Sequence, residues 1–233
     1  MEKIVVSLYD YTGEAVKPWA EAGYTCHCYD IQHNDTAVLL HRGGSIHYLK
    51  ADLHQPSTMQ SLFSRYENRY VSFGMAFPVC TDLAVSGAAH FKNKAEKDPF
   101  FQQKAAAYAI WCEWLFEKLA VPYFIENPVS VLSTLWRKPD FTFDPYQFGR
   151  YIPLDQAEHP VWPDYIAPRD AYPKKTCLWA GQGFQMPISM PVEVEVGYSK
   201  QHLKLGGKST KTKNIRSATP RGFAKAVYLE NSY

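Results

Sequence analysis

Short apolar runs, each closed by a polar turn, most constrain how this chain can fold. Lys3 to Leu8 (KIVVSL) is apolar and β-branched, the pattern of a buried strand. The turn DYTGE follows, then a helix up to Ala22, with Pro18 tolerated only in its first turn and Gly23 as the stop. Tyr24 to Ile31 reads as a second strand with Asp30 near its end. His47 to Leu49 reads as a third, followed by Asp52. A helix over Thr58 to Tyr66 leads to a fourth strand, Tyr70 to Ala76, which runs into Phe77-Pro78-Val79-Cys80. Phe101 to Ala120 has apolar residues at helical spacing and no Pro or Gly. Pro122 to Ile125 is a short strand ending in Glu126-Asn127-Pro128. Strands alternating with helices predict a parallel α/β sheet, and the residues that close the strands fall at its ligand-binding edge.

From about Asp140 to Pro191, prolines, aromatics and glycines replace this rhythm, which predicts an irregular insertion. Val192 to Tyr198 (VEVEVGY) alternates like a strand. Residues 200–216 are polar and basic and are expected to form a mobile loop. Thr219-Pro220 then opens a helix to Glu230, in cap and first-turn positions.

At 233 residues the chain suits one sizeable domain, or one with a small insertion. Its formal net charge is only +2, yet Lys200, Lys204, Lys208, Lys211, Lys213 and Arg216 form a stretch with no acid, able to steer a phosphate-bearing partner. No apolar run approaches a membrane span, and the N-terminus lacks the marks of a signal peptide, so a cytoplasmic protein is expected. The cysteines number five and are scattered, which argues against a disulfide framework. Alternation turns Cys26 and Cys28 to one buried face, and no metal site is expected.

Four constellations could carry chemistry. The turn Tyr9 to Glu14 can meet a nucleotide-like cofactor with backbone amides, or be a plain strand–helix turn. Asp30 stands about twenty residues after that turn, where an acid accepts from ribose hydroxyls, and Asp52 could contact an adenine amino group. Alone, each acid would more often be a cap or a solvated turn residue. Cys80, in a Pro-containing loop after a strand, is a nucleophile if dipoles or cations favour its thiolate, and a small buried residue otherwise. Glu126 is placed to protonate or hydrogen-bond a ring nitrogen, and Asn127 to fix neighbouring backbone. Cys80 and Glu126 together have a chemical logic. A thiolate added at carbon 6 of a pyrimidine makes carbon 5 nucleophilic, and an acid near nitrogen 3 stabilises the charge that develops.

In this order the motifs resemble those of the S-adenosylmethionine-dependent cytosine carbon-5 DNA methyltransferases, especially compact bacteriophage-type methylase-like proteins. Ser7 to Gly13 resembles the first cofactor motif, Asp30 the second and Asp52-Leu53 the third. Phe77-Pro78-Val79-Cys80 resembles the catalytic Pro-Cys loop, Ile125 to Pro128 the Glu-Asn motif, and Arg216 to Ala224 a Thr-Pro segment that opens a helix. The similarity covers roughly residues 3–130. It implies a class I, Rossmann-like methyltransferase sheet with helices on both faces and a small loop-rich insertion. The implied layout is a catalytic and cofactor-binding α/β domain over 1–139 and an irregular insertion or recognition subdomain over 140–191. A segment over 192–233 returns to the catalytic domain. The resemblance further implies S-adenosylmethionine as cofactor, held by Tyr9, Asp10, Thr12, Gly13, Asp30, Ile31, Asp52, Leu53 and Pro78. Cys80, Glu126 and Asn127 would be catalytic. DNA with a flipped cytosine would be the partner, met by Lys208, Lys211, Lys213 and Arg216, in the host cytoplasm if the protein is phage-encoded.

The chain departs from that pattern in places. Tyr11 stands where a glycine is usual and could narrow the cofactor site. The Pro-Cys pair is split by Val79, and Thr81 follows the cysteine. No Gln-x-Arg-x-Arg motif is present, and Lys174, Lys175 or Arg137 are the cations that could replace it. These departures keep two other readings open. One is a pyrimidine modifier acting on a nucleotide or a premodified base. The other is a degenerate methyltransferase fold that binds nucleic acid or a protein partner without catalysis.

Overall fold

The computed structural model describes residues 2–40, 43–194, 200–206 and 209–232. Its centre is an eight-stranded sheet. The strands are β1 (Ile4–Leu8), β2 (Thr25–Asp30), β3 (Thr36–Leu39), β4 (Ser45–Lys50), β5 (Val71–Ala76), β6 (Tyr123–Pro128), β7 (Phe141–Phe143) and β8 (Thr176–Gly181), in the spatial order β3-β4-β2-β1-β5-β6-β8-β7. The block β4-β2-β1-β5-β6 is parallel, and β3, on β4, and β8, on β6, run antiparallel to their neighbours. The Rossmann-like α/β class expected from the sequence is therefore present. β1 lies between β2 and β5, so successive connections leave it in opposite directions. That is a topological switch point, where a crevice opens beyond the strand ends.

Packing explains the central strand. Ile4, Val5, Val6, Ser7 and Leu8 are all buried, because both faces of a parallel sheet are covered. On one face α2 (Pro56–Tyr66) and α4 (Phe101–Leu119) bury Met59, Leu62, Ala109, Cys112 and Phe116 against Val6 and Leu8. On the other, α1 (Lys17–Glu21) and α8 (Arg221–Asn231) bury Trp19, Phe223 and Val227 with Val5, Cys26 and Cys28. Each large apolar side chain so buried contributes roughly 1.5–3 kcal/mol. Shorter helices complete the chain: α3 (Phe91–Lys97), α5 (Leu132–Leu135), α6 (Lys200–Lys204) and α7 (Thr210–Ser217). Ile166, Tyr172, Leu205, Ile215 and Ala218 form a separate small core under α7.

Several sequence expectations are corrected. Segment 140–191 is not wholly irregular, since β7 and β8 join the main sheet there. The apolar run of β8 is masked in sequence by its proline- and glycine-rich flanks. The basic stretch 200–216 contains helices, not simply a loop. Ser209 caps α7 by accepting the Thr212 N–H (3.1 Å), and Thr212 and Ile215 turn one face inward. Residues 192–194 of the expected strand over 192–198 are not in a strand, and 195–199 lie outside the described residues. Strand β6 runs three residues further than its sequence pattern, because Glu126, Asn127 and Pro128 pair with β8 after the pairing with β5 has ended at Ile125. Thr219 does not cap α8. The buried Asp170 carboxylate accepts the Gly222 N–H instead (2.9 Å).

Candidate active site

The turn after β1 is organised from beneath. Asp10 is buried, and its carboxylate accepts from Ser7 Oγ (2.8 Å) and from the Gly13 N–H (2.8 Å). Its side chain therefore shapes the turn from within. The left-handed positions are Tyr9 (φ 58°) and Gly13 (φ 68°). At Gly13 a Cβ would also lie 2.6 Å from the Tyr48 hydroxyl, so glycine is required there. Tyr11 has no such backbone demand. Its ring, 39% exposed, stacks on His33 with centroids 5.6 Å apart. His33 shares a 3.0 Å hydrogen bond with the Asp10 carbonyl through Nε2.

Asp30, Ile31, Asp52 and Leu53 close β2 and its parallel neighbour β4. Asp30 Oδ1 accepts the Gln32 N–H (2.8 Å) and Asp52 Oδ1 the His54 N–H (3.1 Å). Both acids thus support their own turns, the capping role the sequence had left open. Ile31 is an apolar side chain 56% exposed directly after Asp30, and the Tyr9 hydroxyl reaches across to donate to the Leu53 carbonyl (2.9 Å). Thr12 lines an open cavity of about 390 Å³ beside the turn, with Tyr11, Glu14, Lys17 and Trp162, and Cys80 and Glu126 are not among its walls.

Beyond β5 the chain leaves the sheet at Phe77. Buried Pro78 and half-buried Cys80 flank exposed Val79. Cys80 opens a tight turn, its carbonyl accepting from Leu83 (3.0 Å) and Ala84 (2.9 Å). The segment after it is stitched to the exit of β6: Val85 donates to the Val129 carbonyl (3.2 Å) and Val131 to that of Leu83 (3.0 Å). Asn127 donates to the Pro78 carbonyl, so Cys80 is held from β6 on both sides.

Cys80 thus stands past the end of β5, and Glu126 lies in β6 just past its last pair with β5. Burial, and then the Glu126 carboxylate, push the Cys80 thiol up, while Lys174 and Arg216 oppose them. Burial likewise raises Glu126, against Lys174. A small closed cavity beside Glu126 is lined by Phe77, Lys174, Thr219, Pro220 and Phe223. Its volume of about 10 Å³ scarcely admits one water, and the link between α7 and α8 forms part of its wall. Sequence reading pointed to Lys174 only as one of three cations, and held Phe77 and Phe223 within motifs without giving either a role in the site. Arg137 is committed elsewhere, to Glu113 (3.1 Å) and Asp140 (2.6 Å). Lys211, Lys213 and Arg216 are exposed on α7, and Lys208 lies outside the described residues. Cys26 and Cys28 are buried in the core, and among the described residues no group of three His, Cys, Asp or Glu could hold a metal. No described helix is long and apolar enough to cross a membrane.

The fold and strand-end arrangement define a Rossmann-like α/β protein with a thiol and a carboxyl at the ligand edge. No protein-family model and no curated protein matches the chain. Among solved structures it is similar to a candidate DNA modification methyltransferase encoded within an E. coli prophage, at 13% identity and a TM-score of 0.43, over 83% of this chain and 52% of that one. It is also similar to a short-chain dehydrogenase family protein from Francisella tularensis, at 14% identity and a TM-score of 0.30, over 51% of this chain and 45% of that one. The chain thus spans about half the length of each. At these values neither likeness bears on activity.

Proposed function

We propose that this chain methylates carbon 5 of cytosine in DNA, using S-adenosylmethionine and a transient Cys80 adduct at carbon 6. The observation that carries the reading is the placement of Cys80 past the end of β5 and of Glu126 on the neighbouring β6, with Lys174 acting on both. The cofactor's fit is supported by exposed Ile31, an apolar surface for an adenine within the Asp30 turn at the end of β2. Main-chain amides of the Tyr9–Gly13 turn, with Thr12, Leu53 and Pro78, would complete its binding. When bound, S-adenosylmethionine supplies an electrophilic methyl group to carbon 5.

The protein's own part is nucleophilic and acid–base. The Cys80 thiol loses its proton and its sulfur adds to carbon 6 of a flipped cytosine. Glu126, whose burial favours the protonated form, hydrogen-bonds nitrogen 3 and stabilises the charge moved into the ring. Asn127 keeps the Cys80 loop in place. After methylation the carbon-5 proton leaves, the double bond re-forms and the Cys80 thiolate departs. Lys211, Lys213 and Arg216 would meet DNA phosphates.

The test uses wild-type protein and labelled S-adenosylmethionine with DNA, deoxycytidine monophosphate, or DNA carrying 5-fluorocytosine. Methyl transfer to DNA and a trapped adduct at Cys80, absent in Cys80→Ser, are expected. Transfer to the nucleotide alone would move the assignment to a nucleotide modifier. Cofactor binding without any adduct would remove Cys80 as nucleophile.

A further inference from the structure

We propose that Lys174 is a positioning residue for this site, its ammonium anchored on the carbonyl of Arg216 so that both cations are held around Cys80 and Glu126. The inference rests on Cys80 as the reacting thiol. Ionising a half-buried thiol is unfavourable, the more so wherever the carboxyl beside it is also ionised, unless cations are fixed nearby. Lys174 is fixed at both ends: its backbone N–H donates to Asp144 Oδ1 (2.7 Å) and its Nζ to the Arg216 carbonyl (2.9 Å). An ammonium has three donors, so two remain for the cavity whose wall Lys174 shares with Glu126.

The same bond sets the end of α7 that carries the Arg216 guanidinium, the second cation acting on Cys80. Other nearby cations are engaged differently. Lys94 pairs with Asp82 (2.6 Å), Arg137 with Glu113 and Asp140, and Lys175 acts on Cys177. The charged and titratable groups facing the pair are thus Lys174 before β8, Arg216 on α7, and Cys177 and Tyr172, which feel Glu126.

The test is the pH profile of Cys80 alkylation by iodoacetamide, read by mass spectrometry of the peptide in cofactor-free protein. The sulfur bonds the acetamide carbon, iodide leaves and the thiol proton goes to solvent. Lys174→Met should slow alkylation about tenfold at neutral pH and move the midpoint up by about one pH unit. Lys174→Gln, which keeps a donor but no charge, should do the same, and it serves if the Met variant folds poorly. Lys174→Arg should stay within about threefold of wild type, and Lys175→Met should superimpose on it. Neutral variants with a wild-type profile, or an equal shift from Lys175→Met, overturn the proposal. A wild-type protein that neither methylates nor traps would overturn the functional reading instead, with the alkylation comparison still deciding the role of Lys174.

Discussion

The side chain of Asn127 donates to the main-chain carbonyl of Pro78 across 2.9 Å, joining strand β6 to the loop two residues before Cys80. Asn127 is only 1% exposed, and the bond crosses 49 residues of sequence. Asn127→Ala leaves a buried carbonyl without its donor, at a cost of about 1–3 kcal/mol. Denaturant unfolding should show that loss. If Asn127 positions the loop, the Cys80 alkylation rate should change as well. A variant that unfolds like wild type would show that the bond contributes little.

The Cys80 and Glu126 shifts give a pH signature. Both groups are raised, chiefly by burial, and the proposed mechanism needs the thiol ionised and the carboxyl protonated. Activity should therefore climb with pH as Cys80 ionises and fall as Glu126 loses its proton, giving a bell. Glu126→Gln removes the negative neighbour that raises the thiol. Its alkylation midpoint should move to lower pH, even though methyl transfer falls. A midpoint that moves up or stays would break the coupling.

The turn beneath the cofactor-like motif predicts a packing effect. Gly13→Ala forces a side chain into φ 68° and against the Tyr48 hydroxyl at 2.6 Å. The left-handed conformation alone costs roughly 1–2 kcal/mol, and the clash adds to it. Tyr48→Phe removes the hydroxyl, so the double variant should recover part of the loss. Additive losses in a thermodynamic cycle would place the strain elsewhere.

Legibility followed periodicity. The strands of the parallel block were readable because a buried parallel strand is a short apolar run between turns, and α4 because its spacing is regular. Strands β7 and β8 were not, since Phe141–Phe143 is three residues long and Thr176–Gly181 sits among prolines and glycines. Glu126 and Cys80 announced themselves by following apolar runs. Lys174 did not stand out from Lys175, because only the fold puts one beside Glu126 and the other beside Cys177. Tyr11 looked like damage to a glycine motif, yet the left-handed positions fall at Tyr9 and Gly13, which only backbone angles reveal.

Helix α7 gives a nucleic-acid prediction. Thr212 and Ile215 face inward while Lys211 and Lys213 are exposed, so the lysines can be changed with the buried face of α7 intact, losing only the Lys211 ammonium's contact with the Tyr165 ring (5.7 Å). Replacing both by alanine should weaken DNA binding across sequences and reduce the salt slope by about two. Titrations at several salt concentrations would show it, and an unchanged slope would remove α7 from the interface.

Asp170 carries a stability prediction. Its carboxyl is buried, takes the Gly222 N–H at the start of α8, and is pushed up to about 6, chiefly by burial. A folded-state pKa above the ordinary value near 4 means that the fold prefers the protonated form. The stabilising contribution is therefore complete below about pH 4 and is lost as pH rises through about 6. Near neutrality the charged group costs about 2–3 kcal/mol relative to acid. Asp170→Asn removes that pH dependence, so its stability relative to wild type should improve between pH 5 and 7.5. The comparison must be made as a difference between the two proteins. His27 and His159, each lowered to about 4 chiefly by burial, contribute stability that falls as pH drops below about 6.5, opposing Asp170 in both proteins alike. Denaturant melts at the two pH values would decide it, and a pH-independent difference would mean that Asp170 stays ionised throughout.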